Sequence, residues 1–174
     1  FTTFLLPFAL LAHPVITTVY PGLAAEAHAR RWAGFAEALG RGARSIAFLV
    51  LPAAALLVAL ARPGLRLIEV GALDDAGSRL VARTLAAYAL GLAGYAALHL
   101  LTRASYAAGD TRTPALVNAG VAAGGSALMV ALFGLAEGSG RMVALGVARS
   151  VAMVAGAVIL AALVRRRVGA PWPV

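Results

Sequence analysis

Five long apolar segments separated by short polar connections constrain this chain more than any other feature. A helix needs roughly 20 apolar residues to cross about 30 Å of hydrocarbon. Windows of that order run approximately over 1–25, 45–61, 80–101, 114–136 and 142–164. With 61% apolar and only 13% charged residues, against about a quarter charged in soluble domains, the chain lacks the polar surface of a soluble fold. The expected class is all-α, a polytopic membrane protein of about five transmembrane helices.

The connections carry the charge, and they set orientation. The first, 26–44, has Arg30, Arg31, Glu37, Arg41 and Arg44 with Trp32, Phe35 and Leu39 at helical spacing, a pattern expected of an amphipathic helix lying in the interface. The second, Arg62 to Arg79, holds three of the seven acidic residues, the third runs from Arg103 to Thr113, and the fourth is a tight turn around Gly138 and Gly140. Grouping the first, the third and the Arg165-Arg166-Arg167 tail on one side collects nine of the fifteen arginines. The positive-inside rule assigns that side to the cytoplasm. Phe1 then begins outside, and an odd number of spans starting outside is expected of the carboxyl-terminal piece of something longer, with an upstream lobe missing.

The net charge of +8 does not point to nucleic acid, because the aromatics do not interleave with the arginines as a stacking platform requires. There is no cysteine, which rules out disulfides and thiolate metal sites. The three histidines, His13, His28 and His99, have no carboxylate spaced to form a metal site or an acid/base pair. The expectation is therefore neither an enzyme nor a cofactor or metal protein.

Several polar residues stand inside the apolar segments. Pro7, Pro14 and Pro21 recur every seven residues on one face of the first span, and each removes a backbone hydrogen bond and bends the helix. They fit either a hinge in a cavity wall or a curved packing helix, and His13 beside them reads as an interior histidine rather than a ligand. Tyr88, Tyr95, His99, Arg103 and Tyr106 make a polar and aromatic stripe on the third span. Such a stripe faces protein or water, because lipid offers it no hydrogen bonds. Both a cavity wall that meets a polar head group and simple interhelical hydrogen bonding remain open. Arg149 lies about two turns inside the fifth span, where it costs on the order of 2.5–3.5 kcal/mol, so it either lines a wet cavity and meets an anionic substrate or snorkels toward Glu137. Gly120 and Gly124 form a GxxxG in the fourth span, a sign of close helix packing.

Between the third and fourth spans lies Asp110-Thr111-Arg112-Thr113-Pro114. Thr113 is a good N-cap and Pro114 suits the first helical position, so one helix ends and another starts here. The longer string RASYAAGDTRTP, Arg103 to Pro114, resembles the short cytoplasmic loop of the MurJ/MviN family of lipid II flippases. Other stretches are similar to the same family in the same order: Leu6-Pro7 and the run to Val19-Tyr20-Pro21-Gly22-Leu23, then Phe48 to Ala54, then Ala87 to Leu92. The resemblance covers nearly the whole chain. It departs at Ser105-Tyr106-Ala107, where the family usually has Phe-Tyr-Ala.

This resemblance implies the eighth to twelfth helices of a two-lobed exporter of the MOP superfamily, hence most of the C-terminal lobe. It implies a bacterial plasma-membrane location and a lipid-linked peptidoglycan precursor moved from the cytoplasmic to the outer leaflet by alternating access, with membrane lipid and cell-wall synthesis proteins as further partners. Asp110, Arg112, Thr113 and Pro114 carry over by motif, as a cytoplasmic gate or a structural loop. The cavity arginines of the family lie mainly before Phe1 and do not carry over. Arg149, His99, Arg103 and Tyr95 are this chain's own candidates for a substrate cavity. The rivals are an exporter of the same superfamily acting on another polyprenyl-linked glycan or on drugs, and a membrane scaffold that does not transport. A drug exporter would be expected to carry carboxylates inside its spans, and none of the five has one.

Overall fold

The computed structural model describes residues 8–68, 75–89, 91–138 and 140–168; Pro7 and the start of the first span lie outside the described residues. All regular structure in them is helical. A five-residue π-helical turn, Phe8–Ala12, leads into α1, His13–His28. There follow α2, Trp32–Ile68, α3, Asp75–Ala89, α4, Leu92–Ala107, α5, Arg112–Leu135, and α6, Gly140–Val168. Five helical stretches among the described residues are long and apolar enough to cross a membrane: Phe8–His28, Trp32–Ala61, Arg79–Ala107, Arg112–Leu135 and Gly140–Arg167.

Local chemistry explains most boundaries. Pro14 sits at the start of α1, where its missing N–H is not needed. Pro21 lies inside the helix, and nearby hydroxyls supply donors to the carbonyls of the preceding turns, Thr17 to Pro14 at 2.8 Å and Thr18 to Val15 at 2.9 Å. The turn into α2 puts Arg30 at φ +53°. Arg31 holds it by clasping Glu26, Nε to Oε2 at 3.0 Å, and the same carboxylate lies over Gly34, where a Cβ would strike it.

Two expectations change here. The segment 26–44 does not form a helix of its own: its first residues end α1, and from Trp32 it is continuous with the second span. A 30-residue stretch, Trp32–Ala61, is about 45 Å long at 1.5 Å per residue, longer than a straight crossing of about 30 Å of hydrocarbon needs. Its apolar face buries Phe35, Leu39 and Ile46 against the rest of the lobe. The third span, in turn, is two helices. α3 ends at Ala89 and α4 begins at Leu92, and Gly91 before it donates to the Tyr88 carbonyl at 3.0 Å.

α4 lies at the centre of the bundle and α5 at its edge: 53% of the apolar window in the Arg79–Ala107 span is buried inside the protein, against 6% in Arg112–Leu135. The core joins Phe8, Ile16 and Leu23 to Phe35, Leu39 and Val50 of α2, Leu92, Leu98 and Leu100 of α4, and Met153 and Leu160 of α6. Outward-facing Phe48, Leu116, Val130 and Leu135 are more than 70% exposed, as lipid-facing side chains are. Hydrocarbon gives apolar helices no hydrophobic reason to associate, so close approach through small residues matters more. Here α6 approaches α3 and α4 through Gly146, Gly91 and Gly94, and approaches α5 through Gly125 and Gly156. The expected GxxxG pair is not part of this: a Cβ on Gly120 or Gly124 would meet nothing within 4 Å.

Candidate functional site

Two groups of polar residues stand out, one inside the span formed by α3 and α4 and one at the end of the bundle. The first is built on α4. Tyr95 and His99 are one turn apart and therefore on one face, with ring centroids 4.5 Å apart at 63°. Phe8, from the π-helical turn, packs onto both at 4.7 and 5.1 Å, and it also meets His13 edge-on at 6.4 Å. A π turn offsets side chains from the α-helical register and often marks a functional position. Here it delivers a buried aromatic ring onto two half-buried polar ones.

Arg103 follows one further turn along α4 and is exposed. The break at Gly91 divides the expected stripe, leaving Tyr88 on α3 while Tyr106 is 40% exposed. Arg149 is half-buried about 14 Å along α6 from Gly140. Its neighbour in sequence, Ser150, faces Ala87 and Gly91 rather than the aromatic cluster. The four proposed cavity residues are thus three along one face of α4 and one on a different helix.

The second group is the Asp110 motif. Gly109 takes φ +77°, a value that suits glycine, and turns the chain so that the Asp110 N–H reaches the Ser105 carbonyl at 2.9 Å. Asp110 Oδ1 accepts from the Thr113 N–H at 3.1 Å, while Oδ2 pairs with Arg167 at 2.8 Å. Asp110, not Thr113, therefore caps α5. Thr113 is the donor in that cap, and Pro114 is buried one residue later. Burial of the Asp110 carboxyl opposes ionisation, but the hydrogen bonds from Thr113 and the nearby Arg167 guanidinium outweigh it and hold the group below the usual carboxylate range. Arg112 is exposed.

Phe35 from the start of α2, Ala104 from α4 and Val164 from α6 surround this carboxylate, leaving a void of only about 20 Å³. The first connection, the third and the arginine tail thus meet at one end of the bundle, the grouping that charge counting required. At the other end Arg141 donates to the Ala136 carbonyl at 3.1 Å and lies 4.9 Å over the Phe133 ring.

Sequence reasoning missed three participants. Phe8 was one apolar residue among many, Ser150 a small residue in an apolar span, and Arg167 one of three adjacent arginines with nothing to mark which would find a carboxylate. An apolar groove of about 360 Å³ between α2, α4 and α6, lined by Leu39, Ile46, Ala97 and Val158 among others, also has no local signal.

Five helical stretches long and apolar enough to cross a membrane, packed around a span that carries a cluster of polar rings, define a polytopic helical membrane protein. A sequence profile described as "Lipid II flippase MurJ" matches residues 2–172, and the chain belongs to that family. A probable lipid II flippase MurJ of Synechocystis is 32% identical over 111 residues, 63% of this chain and 21% of the relative. One from Rhizobium meliloti is 34% identical over 120 residues, 67% and 22% respectively. Among solved structures, a lipid II flippase MurJ in an inward closed conformation superposes with a TM-score of 0.79 at 27% identity, covering 94% of this chain and 34% of that one. The chain therefore spans about a fifth of the length of these curated relatives and about a third of the solved one. It is a plasma-membrane protein, as the family is.

Proposed function

We propose that this chain is most of the C-terminal lobe of a lipid II flippase, which carries lipid-linked peptidoglycan precursor from the cytoplasmic to the outer leaflet by alternating access. The observation that carries the reading is the family match along 2–172, joined to a superposition at 27% identity over 94% of the chain. It is a transport function and requires no bond-making residue in this lobe. Tyr95, His99 and Arg103 on α4, with Arg149 on α6, are the side chains assigned to the cavity, where cationic groups would meet the diphosphate. Arg149 is the strongest of these by energy, since a cation held in mid-membrane needs a wet or anionic neighbourhood. The π-helical turn with Pro14 and Pro21 is the proposed hinge, because backbone groups freed there tolerate bending only where protein or water satisfies them.

The test is Arg149→Ala and His99→Ala in the full-length protein, with outer-leaflet exposure of labelled precursor followed in vesicles and insertion checked separately. The expected result is normal insertion with translocation reduced at least roughly tenfold for Arg149→Ala, a loss of about 1.4 kcal/mol of stabilisation. Wild-type rates in both variants would remove these residues from the cavity and favour a lobe that scaffolds without transporting.

A further inference from the structure

Both oxygens of Asp110 are committed within its own lobe. Oδ1 holds the first turn of α5 through Thr113, and Oδ2 holds the end of α6 through Arg167. The residue is only 8% exposed, and the groups packed around it come from α2, α4, α5 and α6, all of this chain. A gate carboxylate must instead be able to exchange partners across the two lobes. Consecutive helical residues point about 100° apart, so Arg165 and Arg166 do not share the direction in which Arg167 reaches the loop.

We propose that Asp110 and Arg167 form a permanent brace that fixes the α4–α5 loop to the end of α6, so that this lobe moves as one body and Arg112 is held outward at its surface. Asp110 and Arg167 are positioning residues, with no contact to substrate. A second tie at mid-span, the Ser150 hydroxyl donating to the Ala87 carbonyl at 2.6 Å, fixes α6 to α3. With the brace, α6 is anchored at two levels, as the spine of a rigid lobe would be. The functional half of this inference rests on the transport reading above, and the structural half does not.

The experiment uses the full-length protein with Asp110→Asn, Arg167→Gln, the double variant and Arg167→Lys. Asparagine keeps the acceptor for Thr113 and removes only the charge. Melting temperature in detergent and precursor translocation in vesicles are measured on each. A brace predicts that each single variant lowers translocation by about fivefold, as for a well-formed, half-buried pair. The double variant falls no further than the worse single one, and lysine at 167 restores the rate to within roughly twofold, since a point charge still reaches one carboxylate oxygen. A gate predicts the opposite sign, so a raised or unchanged rate in Asp110→Asn overturns the proposal. Additive losses in the double variant, in rate or in melting temperature, also overturn it. If the wild-type protein itself moves no lipid-linked precursor, the transport reading fails. The brace then stands or falls on whether the two melting-temperature losses are coupled.

Discussion

Replacing Gly94 by alanine inserts one methyl group where α4 packs closely on α6. Its Cβ would lie 2.7 Å from Val154 Cγ2 and 2.9 Å from both the Val154 nitrogen and Cα. The side-chain methyl could rotate away, but the backbone atoms cannot, so α4 must shift away from α6 along the contact that also carries Gly91 and Gly146. Overpacking of this kind costs typically 1–3 kcal/mol, and for a unit of 150–250 residues each kcal/mol lowers the melting temperature by about 2–4 °C. The expected loss is therefore about 4–8 °C for a cost of about 2 kcal/mol, measured as the transition of this lobe in thermal unfolding of the detergent-solubilised full-length protein. Gly124→Ala serves as the control, because its Cβ meets nothing within 4 Å and alanine is the better helix former by about 1 kcal/mol. It should leave the melting temperature unchanged or raise it. A Gly94 variant within 1 °C of wild type (about a quarter of the smallest expected loss), or a Gly124 variant that loses as much, would refute the assignment of the α4–α6 contact.

Two further outcomes follow from the polar groups. Ser150→Ala removes a buried hydrogen bond to Ala87; intramembrane hydrogen bonds average about 0.6 kcal/mol, so a loss of 1–3 °C is expected, whereas Ser150→Leu, beside a Gly91 with no room for even a Cβ, should prevent assembly, as read by expression of monodisperse protein. Asp110 supplies a pH dependence of defined sign. Its folded-state value is depressed, so its contribution is complete above the unfolded value of about 3.9 and is lost as pH falls through the folded one. Melting temperature compared between wild type and Asp110→Asn should show a constant difference from pH 5 to 8 that narrows only below about pH 4; a difference that changes between pH 6 and 8 would point to a histidine instead.

The sequence alone determined what each segment does toward lipid. Whether about twenty residues cross a bilayer depends on their own hydropathy and length, so the spans at 114–136 and 142–164 could be read without knowing any contact. The family resemblance on Asp110 to Pro114 was legible for a similar reason, since a helix end written in five adjacent residues is local. What the segments do toward each other was decided by the tertiary structure. The GxxxG at Gly120 and Gly124 looked like a packing face yet is open, while Gly91, Gly94 and Gly146 carry the close approach, because a glycine packs only if a neighbouring helix presents its backbone at that height and angle. The break between α3 and α4 was invisible in a run of apolar residues, and Ser150 reaches across 63 positions to Ala87 beside it. Asp110 was recognisable as important, but its partner Arg167 was one of three equivalent arginines until the packing of α6 brought one guanidinium to a particular oxygen. Hydropathy is a property of one segment against its solvent, and pairing is a property of two distant segments in three dimensions.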